Sequence, residues 1–287
     1  MANPRLLCVG NITIDESLHP DGRRAVAAGG DAIYAALAAR LVTDRVSWCA
    51  PLGVDFPGEL LDDLRSAGLP VETLPRRPLP TVRNIVTYRA DGSRGWKLVH
   101  GEEHFDAMSV YPTDLPAGAL NVDGVLVSAM SLAAQSALVP WLKQSSAATL
   151  YLDLREDHLD GHREELLAQV AACDVFLPNE VEAVGLAGTS DLDAAARLFA
   201  GLGPSTVVIK RAEHGCLVLA GGELTEVPAE PVKLVDSTGA GDAFCGAFAA
   251  AHLATGDPVR AARTAVTVAR LVVADYGLSG LLKVVHR

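Results

Sequence analysis

The chain has 287 residues, 49% of them hydrophobic, so it can bury a substantial core as one globular unit, with no repeat or low-complexity tract to suggest otherwise. A formal net charge of −11 argues against nucleic-acid partners, which need clustered Lys and Arg to displace counterions. Five scattered cysteines (Cys8, Cys49, Cys173, Cys216, Cys245) without CxxC spacing speak against a zinc site and for a reducing compartment. With no basic leader before an apolar stretch and no apolar run of membrane-spanning length, the expectation is a cytoplasmic protein without a membrane partner.

In chain order, short apolar runs alternate with Ala- and Leu-rich stretches. The runs predict strands at 6–9, 46–49, 124–127, 149–152, 174–177 and 206–209, and the intervening stretches predict helices at 32–41, 59–67, 133–144, 163–172 and 192–202. Continuous apolar strands separated by helices imply a mostly parallel sheet covered on both faces, an α/β layered fold. Two segments break the rhythm. At 17–27 ("SLHPDGRRAVA") and 84–100 ("NIVTYRADGSRGWKLVH"), Asp-Gly turns sit between extended runs and predict β-hairpins. Paired with each other, they would make a small sheet over a cleft, a lid on a single domain spanning 1–287; as unpaired edge hairpins they would do nothing of the kind. Arg83, Asn84, Tyr88 and Trp96 then become candidate substrate neighbours, although an aromatic in a hairpin also packs on its cross-strand partner. His100, Glu102, Glu103 and His104 read as a polar loop with no metal. A further hairpin is expected at "GGELTEVPAEP", after "GCLVLA".

The stretch that follows, "VDSTGAGDAF" at 235–244, places a glycine turn between an extended run and a small-residue helix, with Gly256 a suitable stop. Amides of Gly239, Ala240, Gly241 and Asp242 would point out of that helix start with the positive end of its dipole, forming an anion pocket. Asp242 also suits a first helical turn for structural reasons alone. If a phosphoryl group sits on those amides, however, Asp242 is placed to accept the proton of an attacking hydroxyl, and the dipole should keep it ionised.

"DSTGAGDAF" resembles the C-terminal signature of the ribokinase-like (PfkB-type) carbohydrate kinases. Other landmarks of that family follow the expected order and nearly span the chain: "GNITIDE" at 10–16, "GGDAIYAALAARL" at 29–41, "LPNEVEA" at 177–183 and "VVIKRAEHGCLV" at 207–218. A Walker A sequence is absent. The resemblance implies a three-layer αβα sandwich with a mostly parallel central sheet and a small β-sheet lid. It also implies ATP-dependent transfer to a hydroxyl of a sugar or sugar-like molecule, with Mg²⁺ and, at some members' second site, K⁺.

Residue by residue, Asp242 matches the catalytic base, and Gly239, Ala240 and Gly241 match the anion hole. Asp15, Gly29, Gly30 and Asp31 match the substrate-binding stretches; a turn aspartate and a helix start capped by Asp31 would explain them equally. Asn179, Lys210, Gly215 and Thr238 match ATP-binding positions. Glu182 matches a Mg²⁺ position that acts through water, and Asp236 the monovalent-cation site. Relatives that pair through their lids make a homodimer the corresponding expectation.

There are departures from the pattern. Arg211 and Ala212 stand where Leu-Gly is common, Tyr34 where Asn is common. Of a D-x-N-x-R stretch used by fructokinases and sugar-acid kinases only Asp153 is kept, with Arg155 and Asp157 out of pattern, so a sugar acid gains no support. Three other readings stay open: a nucleoside acceptor, which an aromatic-lined lid would favour; a vitamin kinase, which would lack the lid; and a binding protein without turnover.

Overall fold

The computed structural model describes residues 3–89, 94–116 and 118–285. In chain order its elements begin with β1 (Leu6–Val9), the hairpin β2 (Thr13–Leu18) and β3 (Arg24–Gly29), α1 (Asp31–Arg40), β4 (Val46–Cys49) and α2 (Gly58–Ser66). There follow β5 (Val82–Tyr88), β6 (Arg94–Leu98), α3 (Gly101–Ala107), β7 (Gly124–Val127), α4 (Leu132–Ser145), β8 (Thr149–Leu152), α5 (Arg163–Ala172), β9 (Val175–Phe176) and α6 (Glu180–Ala187). The chain continues with α7 (Leu192–Leu202), β10 (Thr206–Lys210), β11 (Cys216–Ala220), β12 (Glu223–Val227), α8 (Ala240–Thr255), α9 (Pro258–Val273) and α10 (Ser279–Val285).

Eight strands make the main sheet, ordered β12-β11-β10-β9-β8-β7-β1-β4. The run from β10 to β4 is parallel, and β11 and β12 add an antiparallel margin. Strand alternation sorts the core into two halves. Leu6 and Cys8 of β1 join the cluster formed with α1, α2, α8, α9 and α10, while Leu7 and Val9 join the cluster formed with α4, α5, α6 and α7. Each face thus buries a helical layer, with every fully enclosed Leu or Val worth about 1.5–3 kcal/mol. This is the expected three-layer αβα fold, with the parallel strands where their apolar runs placed them.

A second sheet of four strands, ordered β3-β2-β5-β6, stands apart from the first. The two expected hairpins do pair: β2 runs parallel to β5, Thr13 beside Val82 through Leu18 beside Thr87. The first hairpin is longer than 17–27, because pairing continues back to Thr13 opposite Gly29. The Asp91-Gly92 turn of the second lies outside the described residues.

Two stretches differ from the sequence reading. The polar segment at 100–104 is the start of helix α3, begun by Gly101 at φ 78° and anchored by Phe105 and by Met108 just past its end, which pack on Val82. Pro258, two residues beyond the Gly256 stop, is the first residue of α9, whose N-cap Asp257 accepts from Arg260 N at 3.0 Å. Helices α1 and α8 touch backbone to backbone: a Cβ on Gly246 would lie 2.0 Å from the Ala35 carbonyl oxygen. All five cysteines are buried and free, and no helix among the described residues is long and apolar enough to cross a membrane.

Candidate active site

Gly239 holds the N-cap of α8 in the left-handed region (φ 75°), where a Cβ would also collide with the Tyr34 ring at 2.4 Å. The tyrosine that replaces the family's usual asparagine is therefore stacked flat against the glycine turn. Ala240 N donates to Ser237 O (3.3 Å), and the helix ladder begins with Ala243 N to Gly239 O (2.9 Å). The amides of Gly241 and Asp242 precede that first bond and belong to the positive end of the helix.

A cavity of about 300 Å³ opens beside this terminus, between the main sheet and the lid. Asp242, Gly239, Thr238, Asp31, Gly30 and Asp15 all line it, so residues separated by more than two hundred positions share one wall. Asn11, between β1 and β2 in the "GNITIDE" stretch, and Asn84 of β5 line it too. Gly29 lies behind: a Cβ there would sit 2.0 Å from Asp15 Oδ2, so its lack of a side chain makes room for the carboxylate. Asp15 accepts from Thr13 Oγ1 (2.7 Å) and Asn84 Nδ2 (2.9 Å), which fixes the carboxylate by one lid strand and the next. Asp31 is the first residue of α1 rather than its cap, with Gly30 at φ 103° in the capping position. Its Oδ1 accepts from Asn11 N at 2.6 Å, tying the start of α1 to the end of β1.

These carboxyls raise one another's proton affinity. Burial and the neighbouring Asp242 push Asp31 well above the usual carboxylate range. For Asp15, burial outweighs the hydrogen bonds from Asn84 and Thr13. Asp242 is pushed up to about 6, first by burial and then by Asp153, against the pull of Lys210. The helix dipole alone does not hold it low, because loss of water is the larger effect.

Lys210 lies behind the glycine turn, its Nζ 3.8 Å from where a Cβ on Gly241 would be. It is paired with buried Asp153 (2.7 Å) and meets Cys245 Sγ at 3.3 Å, which in turn lies 3.3 Å from Asp153 Oδ2. Burial opposes its charge, yet Asp153, Cys245 and Glu182 reverse that and raise its pKa. No local pattern could reveal this triad, assembled from β8, β10 and α8. Asn179 and Glu182 form a capping box at α6, with Asn179 Oδ1 accepting from Glu182 N (2.8 Å) and Glu182 Oε2 accepting from Asn179 N (2.7 Å). Burial and Asp153 push the Glu182 carboxyl up to about 8. Asn179 bridges to Lys210 in the sheet and Gly215 sits in the β10–β11 turn against Val227 O; none of these three, nor Glu182, lines the cavity. In that turn Ala212 adopts φ 47°, where the family's usual glycine would be unstrained. Asp236 Oδ1 accepts from Thr238 N (3.0 Å) and braces the segment entering the glycine turn.

The far wall of the cavity carries Trp96 and Leu98 of β6, Phe105 of α3, and Arg155 with Asp157 after β8. Trp96 is 52% exposed. Arg83 instead turns to Asp55 (2.8 Å), and Tyr88 lines a second cavity of about 460 Å³ under the β2–β3 hairpin, where it stacks on His19 at 4.8 Å. Asp15, Tyr34 and Thr238 border both spaces.

The carboxylates around Asp242 fit a divalent cation, whose charge would relieve the crowding that now favours protons. Among the described residues no three of His, Cys, Asp or Glu converge as a cage. A Mg²⁺ held mostly by phosphate oxygens and water needs few protein ligands.

The sequence profile of pfkB family carbohydrate kinases matches residues 4–283. The cytidine kinase of Thermococcus kodakarensis is 31% identical over 249 residues, covering 86% of this chain and 88% of that protein. Among solved structures, the adenosine kinase of Sinorhizobium meliloti superimposes with a TM-score of 0.83 at 20% identity, covering 98% of both chains. An E. coli protein assigned as a ribokinase II, in complex with ATP and Mg²⁺, gives 0.82 at 22% identity over 98% of this chain and 97% of that one. The last two likenesses speak for the fold.

Proposed function

The chain belongs to the pfkB family of carbohydrate kinases, and from that premise we propose that it transfers the γ-phosphoryl group of ATP to a sugar hydroxyl of a small molecule, a nucleoside in preference to a free sugar. One observation carries the reading. Asp242, at the start of α8, lines the same cavity as Asp15 and Asp31, so a hydroxyl anchored by those two lies beside a proton acceptor and a set of helix amides.

In this mechanism Asp15 and Asp31 accept hydrogen bonds from the sugar and set its orientation. Asp242 accepts the proton of the attacking hydroxyl as the new O–P bond forms and the bond to the ADP oxygen breaks. Its proton affinity near 6 makes it a stronger base than an exposed aspartate while leaving it ionised at neutral pH. The amides of Gly241 and Asp242, ahead of the first helix bond, face the charge that develops on the transferred group, while Gly239 and Ala240 form the turn that presents them. Lys210 adds positive charge behind them, and Asn179 and Glu182 border the phosphate side. Mg²⁺ would neutralise the phosphates when bound. The lid strands keep water, a competing acceptor, from the reacting hydroxyl. A K⁺ at Asp236 would brace the glycine turn, and turnover with and without K⁺ checks that.

The nucleoside preference rests on the far wall, where Trp96 and Leu98 of the lid offer an apolar surface on which a base can lie. The similarity to a cytidine kinase supports it. ADP release with ATP and Mg²⁺, across cytidine, adenosine, ribose, fructose and sugar phosphates, tests the proposal. A strong hit on a nucleoside that Asp242→Asn abolishes is the expected result. Silence across the panel from a folded, ATP-binding protein would point to a binding protein without turnover.

A further inference from the structure

We propose that Arg155 and Asp157 read the edge of the acceptor's base and select bases with an amidine edge, a ring nitrogen beside an exocyclic amino group. The inference rests on the nucleoside reading above and adds to it the residues that choose among nucleosides.

Both side chains lie on the wall of the cavity that holds Asp15 and Asp242. The guanidinium is fixed in place. Arg155 Nη1 donates to Glu102 Oε2 at 2.7 Å and Nη2 to Glu102 Oε1 at 2.8 Å, a bidentate pair with α3. Nη2 also lies 2.6 Å from Asp157 Oδ2, and the cation's central carbon sits 4.7 Å from the centre of the Phe105 ring. A planar group held by two carboxylates and an aromatic face loses little freedom when a ligand arrives. Glu102 and Asp157 engage only part of its five-donor fork, leaving N–H groups for a partner.

Charge excludes one class of ligand. Arg155 is one cation matched by two carboxylates, in a cavity also lined by Asp15, Asp31 and Asp242. An acceptor bearing a carboxylate or phosphate would meet a guanidinium whose charge is already matched by Glu102 and Asp157, in a cavity lined by further acidic side chains, so the wall favours a neutral acceptor.

Hydrogen-bond polarity narrows the neutral ones. Arg155 only donates and ionised Asp157 only accepts, side by side. Cytosine and adenine present the complement, an accepting ring nitrogen next to a donating amino group. Uracil and hypoxanthine present the reverse, an N–H towards the guanidinium and a carbonyl towards the carboxylate, leaving both protein groups facing like partners. With Trp96 on the lid to cover the ring, the edge is read while the face is stacked.

The test compares kcat/KM for cytidine against uridine and adenosine against inosine, in wild type, Asp157→Asn and Arg155→Lys. Asp157 is 68% exposed at its side chain, so its amide variant should fold normally, and thermal unfolding checks that. The wild type is expected to favour the amino base of each pair by about tenfold or more. Asp157→Asn should shrink that ratio by improving uridine and inosine, since an amide can turn its N–H₂ to a carbonyl. Equal use of the pairs, or a ratio that neither variant moves, overturns the inference while leaving the nucleoside reading intact. Turnover on free sugars alone overturns both.

Discussion

Replacing Asp242 with asparagine should separate what its carboxylate does for chemistry from what it does to the fold. In the folded chain the group's proton affinity climbs from an ordinary 3.8 to about 6, because burial strips its water and Asp153 repels it, against Lys210. At about 1.4 kcal/mol per tenfold change, the ionised carboxylate costs the folded state up to about 3 kcal/mol. That cost is absent below about pH 4, where folded and unfolded chains both hold the proton, and is complete above about pH 6. Asparagine keeps the shape without the charge. Asp242→Asn should therefore be more stable than wild type by roughly 1–3 kcal/mol at pH 7.5, several degrees in Tm, with the advantage fading towards pH 4. Its turnover should fall by about 10²–10⁴, the loss of a general base. Thermal unfolding from pH 4 to 8 and ADP release at pH 7.5 read the two effects on one preparation. A variant less stable at pH 7.5 would mean that the carboxylate is held by favourable bonds, and one that turned over normally would mean that another group takes the proton.

The same crowding predicts the pH dependence. For wild type, kcat/KM should rise with pH through about 6 as Asp242 loses its proton. Asp153→Asn should move that limb to lower pH, because it removes a repelling charge and frees Lys210 to attract the carboxylate; an unmoved limb would refute the coupling. Gly29→Ala places a methyl 2.0 Å from Asp15 Oδ2, so it should raise KM for the acceptor with little change in KM for ATP, as steady-state kinetics on both substrates would show.

Strand placement was largely legible because a buried parallel strand is apolar on both faces, and runs such as 6–9 and 124–127 have no polar alternation to confuse the reading. The lid was legible through its turn chemistry and the candidate site through the glycines of 239–241. Helix α3 was hidden because His, Glu and Asp fill its surface and only Phe105, with Met108 beyond it, reveals what it covers. Asp157 and Arg155 were noticed as departures from a sugar-acid pattern, yet their place on the cavity wall depends on Glu102 and Phe105 arriving from α3. Asp153, Lys210 and Cys245 come from three separated elements, so only the sheet and α8 together bring them into contact.

At Gly246 and Ala35, helices α1 and α8 meet main chain to main chain, with no side chain between them that could repack. The starts of those two helices carry Asp31 and Asp242, to which the proposed mechanism gives orientation and deprotonation of the acceptor. On that mechanism the spacing between them acts as a ruler along the acceptor. Changes in the lid or the far wall would then alter which molecule enters, while the reacting hydroxyl would still be measured from the helix pair. A lineage could exchange one acceptor for another by rewriting β5, β6 and the residues after β8, without having to rediscover where on the molecule the phosphoryl group goes.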